Sequence, residues 1–280
     1  MSQVPAADAF RRLVDIVAAL RSPTGCPWDR EQTIDSLKPY VLEETYEVLE
    51  AIDRHDHESL CEEIGDFLFE GVLLAQLEQE AGHFAIGDAL TAAADKLVRR
   101  HPHVFARAEG EPPLDSAAAV VVRWEEAKAR EQAGASRPKT LLGGVPEALP
   151  SLLRADQIGR RAASVGFDWI KPDDVVAKIE EEIDEIRAVV ADHSNASADR
   201  LEEEVGDLLF AIANLSRKLG VDPETALRKA NAKFTRRFTA MEAAIAASGR
   251  AMRDMTLEAL EREWQKVKSV QDLIDGGLQE

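Results

Sequence analysis

The sequence predicts an all-α fold of two tandem domains, on three observations. Ala, Leu, Glu and Arg dominate and aromatic residues make up only 5% of 280. That is a composition of strong helix formers with short β-branched runs. Apolar residues recur at helical spacing along most of the chain. The second half of the chain also repeats the first, marker by marker.

The elements follow in order. Helical periodicity marks segments near 5–20, 37–53, 57–80, 85–101 and 115–132. In the second half it marks 150–163, 173–192, 197–218, 223–247 and 256–273. Pro39 fits a first helical turn, where its missing N–H leaves no bond unmade. Asp222-Pro223-Glu224 reads as an N-cap, a proline at the first helical position, then an acid on the positive end of the dipole. Gly220 can close the preceding helix in a left-handed cap. Between the halves, prolines and glycines crowd a segment that no helix should cross. The expected organisation is a first domain over 1–132, a linker over 133–149 and a second domain over 150–280.

Length and composition bound the function. A chain of 280 residues suits two domains. Acidic residues number 52 against 34 basic ones, a formal net charge of −18. A field of that sign repels nucleic-acid backbone and anionic lipid, so neither is an expected partner. Cys26 and Cys61 form no disulfide framework, which suits a reduced cytoplasmic chain. Met1 to Phe10 has neither a basic nor an apolar leader region, so no signal peptide is expected. No apolar run approaches the roughly 20 residues of a membrane span.

The repeat is found by fixed-offset comparison. Glu43-Glu44-Thr45-Tyr46-Glu47 matches Glu181-Glu182-Ile183-Asp184-Glu185 at an offset of 138, and Glu62-Glu63-Ile64-Gly65-Asp66 matches Glu203-Glu204-Val205-Gly206-Asp207 at 141. Lys96 and Arg100 match Lys233 and Arg237 at 137. Trp28 pairs with Trp169 at 141 and Trp124 with Trp264 at 140, each of the latter two followed four residues on by a lysine, Lys128 and Lys268. Acidic helices of one chain often look alike, but a narrow spread of offsets that includes every tryptophan indicates a duplication.

In E-E-x-x-E the second and third glutamates are three apart and project from one face, and E-x-x-D behaves alike. Two such helices packed antiparallel bring four carboxylates to one point. Unpaired, they repel strongly. Around a hard divalent cation they are stable, and Mg²⁺ suits oxygen ligands. The bland alternative is a solvated face. It holds over 41–52, where Glu43, Glu44, Glu47 and Glu50 share one polar arc. It fails over 62–75, which is apolar almost all round and expected to be mostly buried. There Glu63, Asp66 and Glu70 form a narrow stripe, matched by Glu203, Glu204, Asp207 and Asn214, and such a stripe needs a partner.

Lys233 and Arg237 lie four apart on one helix, and Lys268 follows Trp264 on the last. Surface salt bridges are the commoner fate of such residues. Their recurrence in both halves points to a shared task. Carboxylates for Mg²⁺, cations for phosphate oxygens and an indole for stacking together suit a nucleoside polyphosphate. No glycine-rich phosphate loop and no nucleophile elbow are present. Glu80-Ala-Gly-His83 has the spacing of a di-iron bundle motif, but it stands at a helix end without a counterpart, so a loop histidine is expected. His101 and His103 are expected to cap a helix or to be plain surface.

These residues in this order carry a resemblance. Gly25-Cys-Pro-Trp-Asp29, Leu42-Glu-Glu-Thr-Tyr-Glu-Val48, Glu63-Ile-Gly-Asp66 and Lys96-Leu-Val-Arg-Arg-His-Pro-His-Val-Phe105 resemble the MazG family of nucleoside triphosphate pyrophosphohydrolases. So do Val165-Gly-Phe-Asp-Trp169, Glu181 to Glu185, Glu203 to Phe210, Lys229 to Phe238 and Trp264-Gln-Lys-Val-Lys268. The likeness covers nearly the whole chain, in two copies.

The resemblance implies tandem all-α NTP pyrophosphatase domains of four-helix-bundle type, in a homodimer. It implies Mg²⁺-dependent hydrolysis of a ribo- or deoxyribonucleoside triphosphate, ATP among them, to the monophosphate and pyrophosphate. Carried over, Glu182, Glu185, Glu204 and Asp207 would hold Mg²⁺, Lys233 and Arg237 the phosphates, and Trp264 and Lys268 would close the site. Lys178, Glu181 and Glu203 lie alongside as nucleotide-binding or supporting residues, with Glu181 or Glu203 as the general base. The first half keeps Glu44, Glu47, Glu63, Asp66, Lys96 and Arg100. Asn214 aligns with Leu73 and Asn231 with Ala94, so the second half has the base- or sugar-reading groups. It is expected to carry the main activity. A narrower dUTP, dCTP or phosphoribosyl-ATP hydrolase of the same fold, and a non-catalytic helical scaffold, are the alternatives.

Overall fold

The computed structural model describes residues 4–107, 116, 120, 123, 140–191 and 198–276, the last six by their backbone alone. Among the described residues every regular element is helical. None of the helices is long and apolar enough to cross a membrane. The chain separates into two compact units, Met1–Ser136 and Arg137–Glu280.

The first unit holds α1 (Ala6–Arg21), α2 (Pro27–Glu31), α3 (Lys38–Arg54), α4 (His57–Glu80), α5 (Ile86–Arg100) and α6 (Pro102–Phe105). Pro39 sits in the first turn of α3, and His55 ends that helix in the left-handed region at φ 54°. Asp56 then caps α4, its carboxylate accepting from the backbone N–H groups of Glu58 and Ser59 at 3.1 and 3.2 Å. A two-residue connection leaves α3 and α4 no arrangement but an antiparallel hairpin. α4 also packs against α1 and α5. Val17, Leu37, Val72 and Leu73 form the core beneath it, each such side chain contributing about 1.5–3 kcal/mol by burial.

The second unit holds α7 (Ser151–Ala163), α8 (Pro172–Ala191), α9 (Ala198–Lys218), α10 (Pro223–Ala247), a 3-10 turn (Met252–Asp254) and α11 (Leu257–Gly276). Asp222 caps α10 by accepting from the Thr225 N–H at 2.7 Å, with Pro223 first in the helix and Gly220 at φ 71° before it. α9 packs on α8 and α7, and α10 on α7, α9 and α11. α7 and α9 approach closely at Gly159, where a Cβ would lie 2.3 Å from Asn214 Oδ1. Val175, Val189, Ala213 and Ile245 are fully buried.

The expected helices within the described residues agree to within a few residues at their ends. The single-turn helices α2 and α6 and the 3-10 turn are additions. Only Ser116, Val120 and Arg123 of the expected 115–132 helix are described, and residues 133–139, Trp124 and Lys128 lie outside the described residues. Residues 140–149 form turns. His83 stands in the turn after α4, 2.6 Å from Glu78 Oε2, while Glu80 is held by Arg21 at 2.6 Å. His101 Nδ1 lies 2.7 Å from the Leu97 carbonyl and closes α5.

One expectation changes. The C-terminal half of α4 is buried at Val72, Leu73 and Ala75, but Ile64, Phe67 and Leu68 are 45–46% exposed. The apolar pattern is right, yet among the described residues nothing covers that face.

Candidate functional site

The α3–α4 hairpin sets the first cluster. Glu44 and Asp66 each stand eleven residues from His55, so an antiparallel pair brings them level. Ligand oxygens of Glu44, Glu63 and Asp66 lie within 4.8 Å of one another. Glu47, one turn along from Glu44, lies close enough for its charge to act on both Glu44 and Glu63. Burial, then this mutual repulsion, pushes the carboxyls of Glu44 and Glu63 above the usual range.

The second cluster is built the same way from α8 and α9. Glu182, Glu204 and Asp207 bring ligand oxygens within 4.8 Å of one another. Glu185 lies beside them, its carboxyl pushed up by burial and by the charges of Glu204 and Glu182. The offset rises from 138 on α8 to 141 on α9. The three extra residues fall in the connection between the helices, leaving both stripes in place.

Both clusters suit a hard cation on an observation independent of their charge. Glu182 Oε2 and Glu44 Oε2 are buried carboxylate oxygens with no hydrogen-bond partner. Such an atom is costly to leave bare, and a divalent ion coordinated by oxygens satisfies it.

Lys178 is where the two copies part. Its Nζ lies 2.8 Å from Glu182 Oε1 and 2.8 Å from Glu181 Oε1. Those hydrogen bonds hold the ammonium well above the usual lysine range. Lys178 thus supplies an internal cation to the second cluster. The corresponding first-half residue, at the same offset of 138, is Tyr40.

Among the other expected site residues, Glu181, Glu203, Lys233, Lys268 and Lys96 are exposed, Arg100 is half-buried and Arg237 is buried. Trp264 packs on Phe234, the neighbour of Lys233, with ring centroids 5.1 Å apart. Phe234 in turn stacks on Phe238 at 5.8 Å. This aromatic stack docks α11 on the helix that carries Lys233 and Arg237.

Asn214 has a different setting from the one its alignment suggested. It is 1% exposed, donates to the Phe210 carbonyl at 3.1 Å and accepts from the Arg217 guanidinium at 3.3 Å. Protein groups use its amide on both sides. Arg217 continues to Asp168 at 2.5 Å, and Lys218 reaches the same carboxylate at 2.6 Å. The Arg217 hydrogen bonds hold the Asp168 carboxyl down to about 2. Sequence reading missed this anchor, which fixes the Trp169 loop to α9. A comparable arginine serves the first half, where Arg21 joins the Asp29 carbonyl to Glu80. Glu70, which the sequence places in the acidic stripe without a role of its own, is 7% exposed and has an unpartnered Oε2.

Comparison with known proteins follows the same two segments. The MazG nucleotide pyrophosphohydrolase domain matches residues 32–105 and 171–240. The nucleoside triphosphate pyrophosphohydrolase of Escherichia coli K12 is 48% identical over 92% of this chain and 96% of its own length. The nucleoside triphosphate pyrophosphohydrolase/pyrophosphatase MazG of Thermotoga maritima is 44% identical over 92% of this chain and 95% of its own. The crystal structure of a MazG-related protein from Thermotoga maritima is similar at 29% identity and a TM-score of 0.36, covering 42% of this chain and 98% of that one.

Proposed function

This chain belongs to the MazG nucleotide pyrophosphohydrolase family, and on that premise we propose that it hydrolyses nucleoside triphosphates to the monophosphate and pyrophosphate. The observation that carries the reading is the grouping of Glu182, Glu204 and Asp207 within 4.8 Å, with a buried unpartnered oxygen on Glu182, inside a segment that the family domain matches.

The cation of this reading is Mg²⁺, which favours carboxylate and phosphate oxygens together. Glu182, Glu185, Glu204 and Asp207 would hold it. When bound it supplies charge neutralisation to the triphosphate and acidity to an attacking water. Lys233 and Arg237 bind phosphate oxygens and stabilise the departing pyrophosphate. Trp264, held by Phe234, offers a stacking face, and Lys268 adds a charge beside it. Glu181 or Glu203 takes the proton of the water. Lys178 turns from its carboxylates to the nucleotide once a cation replaces it there. The second half carries the main turnover and the first half binds metal through Glu44, Glu47, Glu63 and Asp66, with Lys96 and Arg100 as the phosphate-binding counterparts.

A second copy of the chain covers the exposed apolar face of α4, and with it Leu209 and Phe210 of α9, which are 47% and 38% exposed. Uncovered patches of this kind mark interfaces. The free Cys26 and Cys61 suit a reducing cytoplasm.

The test is incubation with each nucleoside triphosphate, with and without Mg²⁺, and chromatography of the products. Monophosphate plus pyrophosphate, abolished by EDTA, is the expected result. Diphosphate plus orthophosphate refutes the reading. No product from any triphosphate shifts it to a narrower nucleotide hydrolase or a scaffold.

A further inference from the structure

Lys178, Glu182 and Glu185 stand at i, i+4 and i+7 on α8, so they share one face. The ammonium lies 2.8 Å from Glu182 Oε1 and 2.8 Å from Glu181 Oε1. The two contacts differ in weight. The Glu181 side chain is 58% exposed, and a bridge to it adds little. The Glu182 side chain is 4% exposed, so withdrawing the lysine strands a buried charge. Lys178 itself is partly exposed, and its flexible stem allows the ammonium to swing to another anion. In the first half Tyr40 takes this place and packs against the core, so it brings no charge to Glu44.

We propose that Lys178 couples the binding of metal and nucleotide in the second half, so that each favours the other. The inference rests on the reading of the second cluster as a cation site and concerns its regulation. With neither ligand bound, Lys178 holds Glu182. To admit an ion alone, the lysine must give up its one buried partner. To reach a nucleotide alone, it must leave Glu182 bare. With both present, Glu182 is satisfied by the ion and Lys178 by a phosphate, and each ligand lowers the cost of the other. The second half therefore selects the pair over free Mg²⁺ or metal-free nucleotide. Tyr40 gives the first half no such device.

The experiment is calorimetric binding of the non-hydrolysable α,β-methylene analogue of ATP to the full chain, in Mg²⁺ and in EDTA. Every chain carries E63Q and D66N to silence the first cluster, and thermal melts confirm that each is folded at the titration temperature. Position 178 is Lys, K178M or K178R. K178M is expected to weaken the analogue about tenfold in Mg²⁺ and to leave it unchanged in EDTA, where Glu182 holds the lysine. K178R retains the charge and the difference between the two conditions. Equal weakening in both conditions makes Lys178 a plain phosphate contact and overturns the coupling, and so does no weakening in either. Adding E204Q and D207N tests the underlying reading separately. If that chain gains as much affinity from Mg²⁺ as its parent, the second cluster is not a cation site, whatever K178M does.

Discussion

Lys178 Nζ lies 2.8 Å from Glu182 Oε1, at the very carboxylate whose other oxygen has no partner. The ammonium and a divalent cation therefore compete for one residue. Replacing Lys178 by Met is expected to tighten Mg²⁺ binding without nucleotide by about tenfold, since a like charge that competes for the same carboxylate is removed. In EDTA the same variant melts lower, because Glu182 is left buried without its cation. Titration calorimetry and thermal melts check both signs; weaker Mg²⁺ binding would mean Lys178 assists the metal.

The duplication permits an internal control. E204Q with D207N is expected to lower turnover on the order of 10²–10³-fold, since two oxygen ligands of a metal site are lost together. The matching pair in the first half, E63Q with D66N, leaves most turnover. Equal losses from the two pairs would assign catalysis to both halves.

Asp168 joins Arg217 and Lys218, and its carboxyl is held down from 3.8 to about 2. A depressed carboxyl adds stability above its unfolded value and loses it as pH falls through the folded one. D168N leaves two largely buried cations without a counter-charge and costs about 3 kcal/mol at pH 7. The gap between wild type and D168N is expected to stay constant above about pH 5 and to narrow progressively below pH 4. Urea denaturation at pH 7, 5 and 3 measures it; a gap that does not change with pH would remove the charge from the explanation.

Trp264 is set by Phe234, with ring centroids 5.1 Å apart. W264A is expected to raise KM for the nucleotide by about tenfold, the scale of a lost base–aromatic stack, with a smaller change in kcat. F234A acts through the position of the indole and has the same direction with a smaller size. Steady-state kinetics on both variants checks this, and an unchanged KM in W264A would take the indole out of the nucleotide site.

Much of this was legible in the sequence because it depends on local spacing. The long helices follow from period and caps, as at Asp222-Pro223. The meeting of Glu44 with Asp66 follows from two acidic stripes flanking a tight turn. Single turns such as Pro27–Glu31 are too short for periodicity to register. The exposure of Ile64 and Phe67 was hidden because an apolar pattern says that a face is to be covered and not what covers it. The contact of Asn214 with Arg217 is not legible in the sequence, because Arg217 is oriented by Asp168, 49 residues away. Glu70 stood in the stripe, but only packing reveals a carboxylate oxygen that nothing satisfies.

The three residues by which the second copy lengthens its α8–α9 connection have an evolutionary consequence. A residue inserted within a helix would swing every later side chain by about 100° and scatter a four-carboxylate constellation. The same residue placed between helices moves none of them, since packing and not tether length sets their alignment. Drift in length is thus funnelled into the corners of each bundle, where six residues stand between Ala191 and Ala198 and two between Arg54 and His57, three of the difference from the change in offset and one from α8 ending a residue earlier in register than α3. The chemistry is inherited as a register, and the duplicated copies were able to diverge in size without losing it.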